Sequence, residues 1–296
     1  MNNFWTRAIT GTVFVIVMVA GIYINYWTLT GLFFLISMLG LNEFYGLLIK
    51  SGYKPNRVVG LFVGALTYAM FAFHYSFAIY DEYVIPMIFP FIVLIFFAEL
   101  YRKQEKPFIN IGLTILGILY TVAPFALWVN FSCPFIAQSH NDWIDALAGF
   151  VQPGYNPHIL LGFFFMLWTN DTGAYIVGRL MGKHKLWERI SPKKTWEGFI
   201  GGVILSIAIG YVISIYYNEL SSIVWMLMGF TIGVFGTLGD LTESLFKRSI
   251  DVKESGGILP GHGGILDRFD GVLMSTPFVI ALIKIMQFIP MVLQSQ

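Results

Sequence analysis

The segment 197–217, EGFIGGVILSIAIGYVISIYY, contains one charged residue, and Ile, Val, Gly and Tyr make up most of the rest. A helix that crosses the hydrocarbon core of a bilayer needs about 20 mainly apolar residues. A transmembrane barrel strand would be shorter and would alternate apolar with polar residues. The segment therefore predicts a membrane-spanning helix, in which all backbone groups are hydrogen-bonded within the element.

Comparable apolar stretches recur along the chain. Hydrophobic residues make up 56% of the 296 residues and charged residues 12%, where a soluble domain carries about 25% charged residues. This composition excludes a disordered chain, a collagen-like chain and an ordinary soluble domain. We predict an all-α, polytopic integral membrane protein with about nine transmembrane helices, at residues 7–25, 28–49, 58–80, 83–101, 108–131, 157–181, 197–217, 221–246 and 271–290.

The basic residues give the orientation. With nine spans, 17 of the 18 Lys and Arg fall on one side of the membrane, and the exception, Lys284, lies inside the last span. The positive-inside rule then places the N-terminus in the cytoplasm and the C-terminus outside. The net charge of +1 gives no general attraction to nucleic acid, so we expect no nucleic-acid partner. The single Cys excludes a disulfide scaffold and a cysteine-based zinc site.

The two halves of the chain differ in how many motifs with a chemical role they contain. Residues 1–156 predict a transmembrane scaffold of about five helices without a catalytic motif. Glu43 and Glu99 are either functional groups or interfacial carboxylates paired with a nearby base. Residues 157–296 predict the catalytic part of the same continuous membrane domain, with cytoplasmic loops at 182–196 and 247–270.

Charged residues in the second half occur in compact groups. Asp171 follows Asn170 inside the sixth predicted span, where a carboxylate needs a cation or a proton. Lys193 and Lys194 are predicted to lie in the first turn of the seventh span, whose free N–H groups favour phosphate. Contact with anionic headgroups is the alternative for a basic loop of this kind.

Two further groups follow along the chain. Asp240, Glu243 and Lys247 share one helix face, so an internal Glu243–Lys247 ion pair is one interpretation, which leaves Asp240 without a partner. The segment 256–264, GGILPGHGG, predicts a tight loop that lets backbone approach a ligand closely, and Asp267, Arg268 and Asp270 come directly after it. Carboxylates and cations together with a glycine loop favour Mg²⁺ that bridges carboxylates and a polyphosphate. No Ser–His or Cys–His pair supports a covalent mechanism.

Residues 244–270, SLFKRSIDVKESGGILPGHGGILDRFD, closely resemble the signature of the CDP-diacylglycerol synthase family, also called phosphatidate cytidylyltransferases. The stretches Asn170–Gly173 and Ser191–Gly198 are similar to the family as well, so the resemblance covers roughly 168–271. One departure is Glu254, where the family usually has Asp.

The resemblance implies that CTP and phosphatidic acid react to give CDP-diacylglycerol and pyrophosphate with the help of Mg²⁺. It places the metal on Asp240 and Asp267 and leaves open a second cation beside it. The expected location is a bacterial inner membrane, with the site facing the cytoplasm and a homodimer as one possible assembly. The expected catalytic residues are Asp240, Asp267, Lys247, Arg268 and Asp270, and the expected substrate-binding residues are Asp171, Lys193, Lys194, Glu197, Arg248, His262, Gly263 and Gly264.

Two other classes of protein would share part of this pattern. An ion-coupled transporter also has intramembrane carboxylates and glycine-rich breaks, but it would be expected to show internal symmetry, which we do not find in the sequence. Another lipid-linked phosphoryl transferase, such as a polyprenol kinase, would share a charged cytoplasmic site.

Overall fold

The computed structural model describes residues 3–73, 81–132, 155–252, 255–257 and 263–294. Within these ranges each of the nine predicted stretches coincides with helix, in whole or in part. The helices are α1 Asn3–Tyr23, α2 Tyr26–Lys50, α3 Arg57–Phe73, α4 Asp81–Leu100, α5 Pro107–Gly117, α6 Ala123–Ser132, α7 His158–Met181, α8 Trp196–Tyr216, α9 Ser222–Ser249 and α10 Leu266–Gln294. A π-helical turn, Ile118–Val122, joins α5 to α6 without a break.

Several of these helices are long and apolar enough to cross a membrane. In the described part of the chain five meet both criteria, and the three shorter apolar helices are Ala8–Tyr23, Arg57–Phe73 and Pro86–Leu100. The predicted class of helical membrane protein is thereby supported, while nine spans and their orientation stay predictions. The five long helices are Tyr26–Lys50, Pro107–Ser132, Trp196–Tyr216, Ser222–Ser249 and Leu266–Gln287.

A short β-hairpin departs from the all-helical prediction. Strand β1 (Lys185–Trp187) pairs with the antiparallel strand β2 (Ser191–Thr195), so that Lys185 lies opposite Thr195. The predicted position of Lys193 and Lys194 in a first helical turn was wrong, because both lie on β2 and α8 begins only at Trp196. Extended Thr195 is the N-cap, and its Oγ1 accepts a hydrogen bond from Gly198 N at 3.2 Å.

The chain forms two compact units. The first comprises Met1–Pro157 and Glu254–Leu266, and the second comprises His158–Lys253 and Asp267–Gln296. The glycine-rich segment before α10 therefore belongs to the first unit, whereas Asp267 and the residues after it belong to the second. Helix α10 starts earlier than the predicted residue 271, so Asp267 and Asp270 lie in its first turns.

Tyrosine hydroxyls connect the helices of the first unit. Tyr45 Oη on α2 donates to the carbonyl of Thr114 on α5 at 2.6 Å, and Tyr68 Oη on α3 donates to the carbonyl of Thr30 on α2 at 2.7 Å. Both rings are buried, where a hydroxyl without a partner would be costly. Gly60 and Gly117 make room for the Tyr45 ring, since a methyl group on either would lie within 2.5 Å of it.

Glu99 has a structural environment in this unit. Its side chain accepts hydrogen bonds from Arg102 Nη1 and from Asn110 Nδ2, both at 2.8 Å, and the residue is 3% exposed. The geometry therefore matches the interpretation of Glu99 as a carboxylate paired with a nearby base.

Glycines bring the helices of the second unit into backbone contact. A methyl group on Gly210 of α8 would lie 2.5 Å from the carbonyl oxygen of Trp225 on α9. On α9, a methyl group at Gly229 would lie 2.5 Å from the carbonyl oxygen of Ser206, and one at Gly233 would lie 2.9 Å from Val203 Cα. At both positions of α9 glycine is therefore the residue that allows close helix packing.

Candidate active site

The charged side chains of the second unit come from separate elements that pack closely. Glycines make this possible: a methyl group on Gly198 of α8 would lie 2.7 Å from the carbonyl oxygen of Ala174 on α7. A methyl group on Gly239 of α9 would lie 2.5 Å from the carbonyl oxygen of Asp270 on α10. Asp171 on α7, Lys194 on β2, Asp240 on α9 and Asp270 on α10 can therefore act on one another.

Asp240 on α9 pairs with a lysine of another element, the β-hairpin. Lys194 Nζ on the hairpin lies 2.6 Å from Asp240 Oδ2, and Ser244 Oγ lies 3.3 Å from the other carboxylate oxygen. The Asp240 side chain remains 44% exposed in this pair. An exposed carboxylate with one lysine partner is open to exchange that partner for a ligand.

Lys247 lies between two carboxylates. Its Nζ is 2.5 Å from Glu243 Oε2 on the same helix and 2.5 Å from Asp267 Oδ1 on α10. The exposed fractions of the three side chains are 12%, 2% and 13% in the order Lys247, Glu243 and Asp267. The Glu243–Lys247 pair anticipated from their spacing is confirmed, and Lys247 holds α9 to α10 at the same time.

Glu243 and Asp270 enlarge the group of carboxylates. Glu243 Oε1 is buried and has no hydrogen-bond partner in the described part of the chain. Asp270 Oδ1 accepts from Gly271 N at 2.7 Å, and the Asp270 carboxylate interacts electrostatically with Asp240, Asp171 and Glu243. Carboxylates this close together repel one another unless a cation or a proton compensates them.

The charges of this cluster do not balance. Asp171 interacts with the cations Lys194 and Arg268 as well as with Asp240. Among the described residues, five carboxylates then face three cations, which leaves an excess of two negative charges when all of them are ionised. The members of this carboxylate cluster are Asp171, Lys194, Asp240, Glu243, Lys247, Asp267, Arg268 and Asp270.

The cluster fits Mg²⁺ that arrives with a substrate. The excess charge, the unpartnered Glu243 oxygen and the all-oxygen donor set suit a hard divalent cation. Among the described residues no three His, Cys, Asp or Glu side chains converge closely enough to hold a metal by themselves. Mg²⁺ is usually held by one or two carboxylates together with substrate phosphates, which is the arrangement that these residues permit.

Three of the basic residues predicted for the site are exposed. Lys193 lies on β2, Arg268 follows Asp267 on α10, and Arg248 near the end of α9 donates from Nη1 to the Val252 carbonyl at 3.5 Å. Exposed guanidinium and ammonium groups are suited to bind phosphate.

Glu197 is engaged within its own loop. Its carboxylate lies 2.7 Å from His184 Nδ1 and accepts from the backbone N–H of Lys183 at 3.1 Å and of His184 at 3.3 Å. These bonds close the base of the hairpin against the first turn of α8. In this geometry Glu197 orders the loop that carries Lys193 and Lys194, and its carboxylate contacts His184 and the backbone of Lys183.

Other predicted residues lie in or near the glycine-rich segment. Gly263 has a φ of 84°, which L side chains rarely adopt, so glycine is required there. Gly264 is buried, and His262 lies outside the described residues.

The sequence left the role of Glu43 undecided, and the structure places this residue beside the glycine-rich segment. Glu43 accepts hydrogen bonds from the backbone N–H of Ile265 and Leu266, at 3.0 and 3.1 Å. The signal for it was a lone carboxylate in an apolar span, which indicates a role without showing which one.

Comparison with known proteins gives a consistent result. The family model described as "Cytidylyltransferase family" matches residues 5–286. Proteins named phosphatidate cytidylyltransferase are 53% identical over 124 residues in Staphylococcus haemolyticus and 54% identical over 131 residues in Staphylococcus saprophyticus. These alignments cover 41% and 43% of this chain, and 47% and 50% of the relatives, so the chain spans about half the length of the curated relatives it matches.

The two lysines of the cluster should differ in their effect on stability. Lys247→Met leaves Glu243 and Asp267 without their shared cation in a buried place, and we expect it to lower the free energy of unfolding by about 3–5 kcal/mol. Lys194→Met, the matched control, removes an ion pair to a partly exposed carboxylate and should cost about 0–1 kcal/mol. Equilibrium unfolding in detergent micelles measures both. Equal losses for the two variants would contradict the burial argument.

Proposed function

We infer the function from one premise: the chain belongs to the Cytidylyltransferase family. We propose that it transfers the cytidylyl group of CTP to phosphatidate in a bacterial inner membrane, with the site on the cytoplasmic side. The observation that carries this proposal is the carboxylate cluster, in which five carboxylates face three cations among the described residues, within a unit that also has exposed Lys and Arg side chains. A site for a metal-bound polyphosphate needs both kinds of charge.

The reaction is a displacement at phosphorus. An anionic phosphate oxygen of phosphatidate forms a bond to the α-phosphorus of CTP, while the bond from that phosphorus to the oxygen bridging to the β-phosphate breaks. The products are CDP-diacylglycerol and pyrophosphate. Because the attacking oxygen already carries negative charge, the protein does not need a strong general base. This explains why a site without a nucleophile–base pair is sufficient.

The acidic residues have a clear task in this scheme. Mg²⁺, when bound with CTP, supplies positive charge against the phosphates as the leaving group forms. Asp240 and Asp267 would hold it, as two carboxylates on adjacent helices whose present partners are lysines. Asp270 and Glu243 surround them with further negative charge. This arrangement favours a cation in the cluster over an anion placed there alone.

The basic residues divide into two groups. Lys193, Arg248 and Arg268 are exposed and are suited to bind the phosphates of CTP or of the lipid. Lys194 pairs with Asp240 and is 23% exposed, so it can move its ammonium group from that carboxylate to a phosphate. Lys247 is held by two carboxylates, and we assign it to maintaining the α9–α10 contact.

A direct assay tests the proposed reaction. The purified chain in mixed micelles receives CTP, phosphatidate and MgCl₂, and released pyrophosphate is measured together with nucleotide that becomes extractable into organic solvent. We expect equal amounts of both, and none when phosphatidate or Mg²⁺ is omitted. Pyrophosphate release without lipid-bound nucleotide, or no turnover with all three components, would refute the proposal.

The acidic ligands give a sharper prediction. Asp240→Asn and Asp267→Asn keep the side-chain shape but remove the anionic charge, and we expect each to lower kcat by at least roughly 10²–10³ because a transition-state charge loses its support. Both should insert into the membrane normally, and added Mg²⁺ should restore activity only in part. The assay above, run over a Mg²⁺ titration, measures this.

Asp251→Asn is the matched control for these variants. Asp251 is exposed after α9 with a φ of 55°, a conformation that Asn also tolerates, so its activity should stay close to that of the wild type. Near-normal activity of both Asp240→Asn and Asp267→Asn at low Mg²⁺ would show that the metal assignment is wrong. The site would then have to be sought around Asp171 and Glu197.

The proposed orientation can be tested by labelling. Ser255 is 5% exposed, but Gly257 is exposed and a side chain there would meet no atom within 4 Å. Gly257→Cys in a Cys133→Ser background should react with a membrane-impermeant maleimide in inside-out vesicles and remain unlabelled in intact cells. Labelling in intact cells would contradict the cytoplasmic location of the site and its access to CTP.

A further inference from the structure

We propose that Glu43, on α2, is a positioning residue for the proposed cytidylyl transfer. Its carboxylate binds the backbone where the glycine-rich segment passes into α10, and it lies against Gly256 at the other end of that segment. The proposal rests on the proposed function for its catalytic consequence, while the contact itself is independent of it. Neither the sequence pattern nor the family description assigns Glu43 a role.

Both carboxylate oxygens of Glu43 are used on backbone. Oε2 accepts from Ile265 N at 3.0 Å, and Oε1 accepts from Leu266 N at 3.1 Å. Glu43 is 8% exposed, and Ile265 and Leu266 are 6% and 1% exposed. Since α10 begins at Leu266, these N–H groups belong to a helix start, where the helix itself provides no acceptor and negative charge is favourable.

Two glycines form the walls around this carboxylate. A methyl group on Gly264 would lie 2.1 Å from Glu43 Oε1, and one on Gly256 would lie 2.6 Å from Oε2. At Gly256 that methyl group would also be 3.4 Å from Gly264 Cα, so the two glycines lie side by side. We call Gly256, Gly264 and the two N–H groups of Ile265 and Leu266 the carboxylate slot. Only glycine at both positions leaves room for the carboxylate.

The slot joins parts of the chain that are far apart in sequence. Gly40, on the same helix as Glu43, lies against the slot too, because a methyl group there would be 3.5 Å from Ile265 Cγ2. The carboxylate thus lies close to residues on both sides of the segment 257–263 and is hydrogen-bonded to those that follow it. Leu266 is followed in the chain by Asp267, whose carboxylate binds Lys247. One peptide bond therefore links this proposed metal ligand to the residue that Glu43 binds.

Packing alone does not explain why Glu43, a buried carboxylate, stands at this position. Placing it in an apolar helix costs free energy that a hydrophobic side chain of similar size would not. Glu99 in the same unit has the cation Arg102 as compensation, whereas both Glu43 oxygens accept backbone N–H groups of the slot. The sequence has two glycines and a glutamate here, although an apolar side chain could fill the same space. We take this as an indication that the backbone of the slot has to be held in one position.

Two readouts test the proposal. In hydrogen–deuterium exchange, the amides of Ile265 and Leu266 should exchange slowly in the wild type, faster in Glu43→Gln and fastest in Glu43→Ala, because Gln keeps one neutral acceptor oxygen and Ala keeps none. In the transfer assay, kcat should fall by roughly 10–100-fold in Glu43→Ala, the loss typical of removing an outer residue that orients a ligand. KM for CTP should change much less, because the loss lies in the transition state.

A double-mutant cycle shows whether the contact is responsible. Gly256→Ala should lower kcat in the wild type, where its methyl group meets Glu43 Oε2, and should cost little more in a Glu43→Ala background, where that oxygen is absent. Glu99→Gln is the control for loss of a buried carboxylate, and it should leave kcat and the two amides unchanged. A Gly256→Ala effect of equal size in both backgrounds would overturn the proposal.

The remaining outcomes are also decisive. Unchanged amide exchange in Glu43→Ala would overturn the anchoring contact, and faster exchange with a wild-type kcat would overturn its catalytic role. If the wild type transferred no cytidylyl group at all, the proposed function would fail, and faster exchange in Glu43→Ala would still support the anchor.

Discussion

The balance of charge inside apolar helices is the constraint on which the second unit depends. A carboxylate removed from water without a counter-charge is too costly to persist, so each acidic side chain must find a cation, a proton or several N–H groups. Lys247 meets this demand for Glu243 and Asp267, whereas Asp240, which pairs with Lys194, stays partly in water. Such pairs form only when the helices approach closely, which the glycines of α8 and α9 allow.

The same constraint connects the structure to its proposed chemistry. The internal cations compensate only part of the negative charge, and Glu243 Oε1 has no hydrogen-bond partner in the described part of the chain. A divalent cation that enters with a triphosphate would complete the balance, and the exposed bases would receive the phosphates. The negative charge of the cluster would thus be fully compensated only when the substrate and its cation are bound. This agrees with catalysis by positioning and electrostatics.

Local features of the sequence predicted the helices well. Long apolar runs have few alternatives, and the spacing of Glu243 and Lys247 on one helix face was enough to anticipate their pair. The hairpin was missed because Ser191–Thr195 is short and polar and shows no alternating pattern. The Lys194–Asp240 pair and the Glu43 slot could not be read from the sequence, since they join residues brought together by tertiary packing. Backbone N–H donors also leave no mark on the identity of the residues that carry them.

The fate of the individual phosphates of CTP tests the central claim most directly. Two reactions with phosphatidate and Mg²⁺ would differ only in whether radioactive phosphorus occupies the α- or the γ-position of CTP. Cytidylyl transfer predicts that the α-label enters the lipid fraction and that the γ-label leaves as pyrophosphate. A γ-label in the lipid would show a kinase, and labels that stay together in CTP would show that the cluster serves another purpose, such as ion transport.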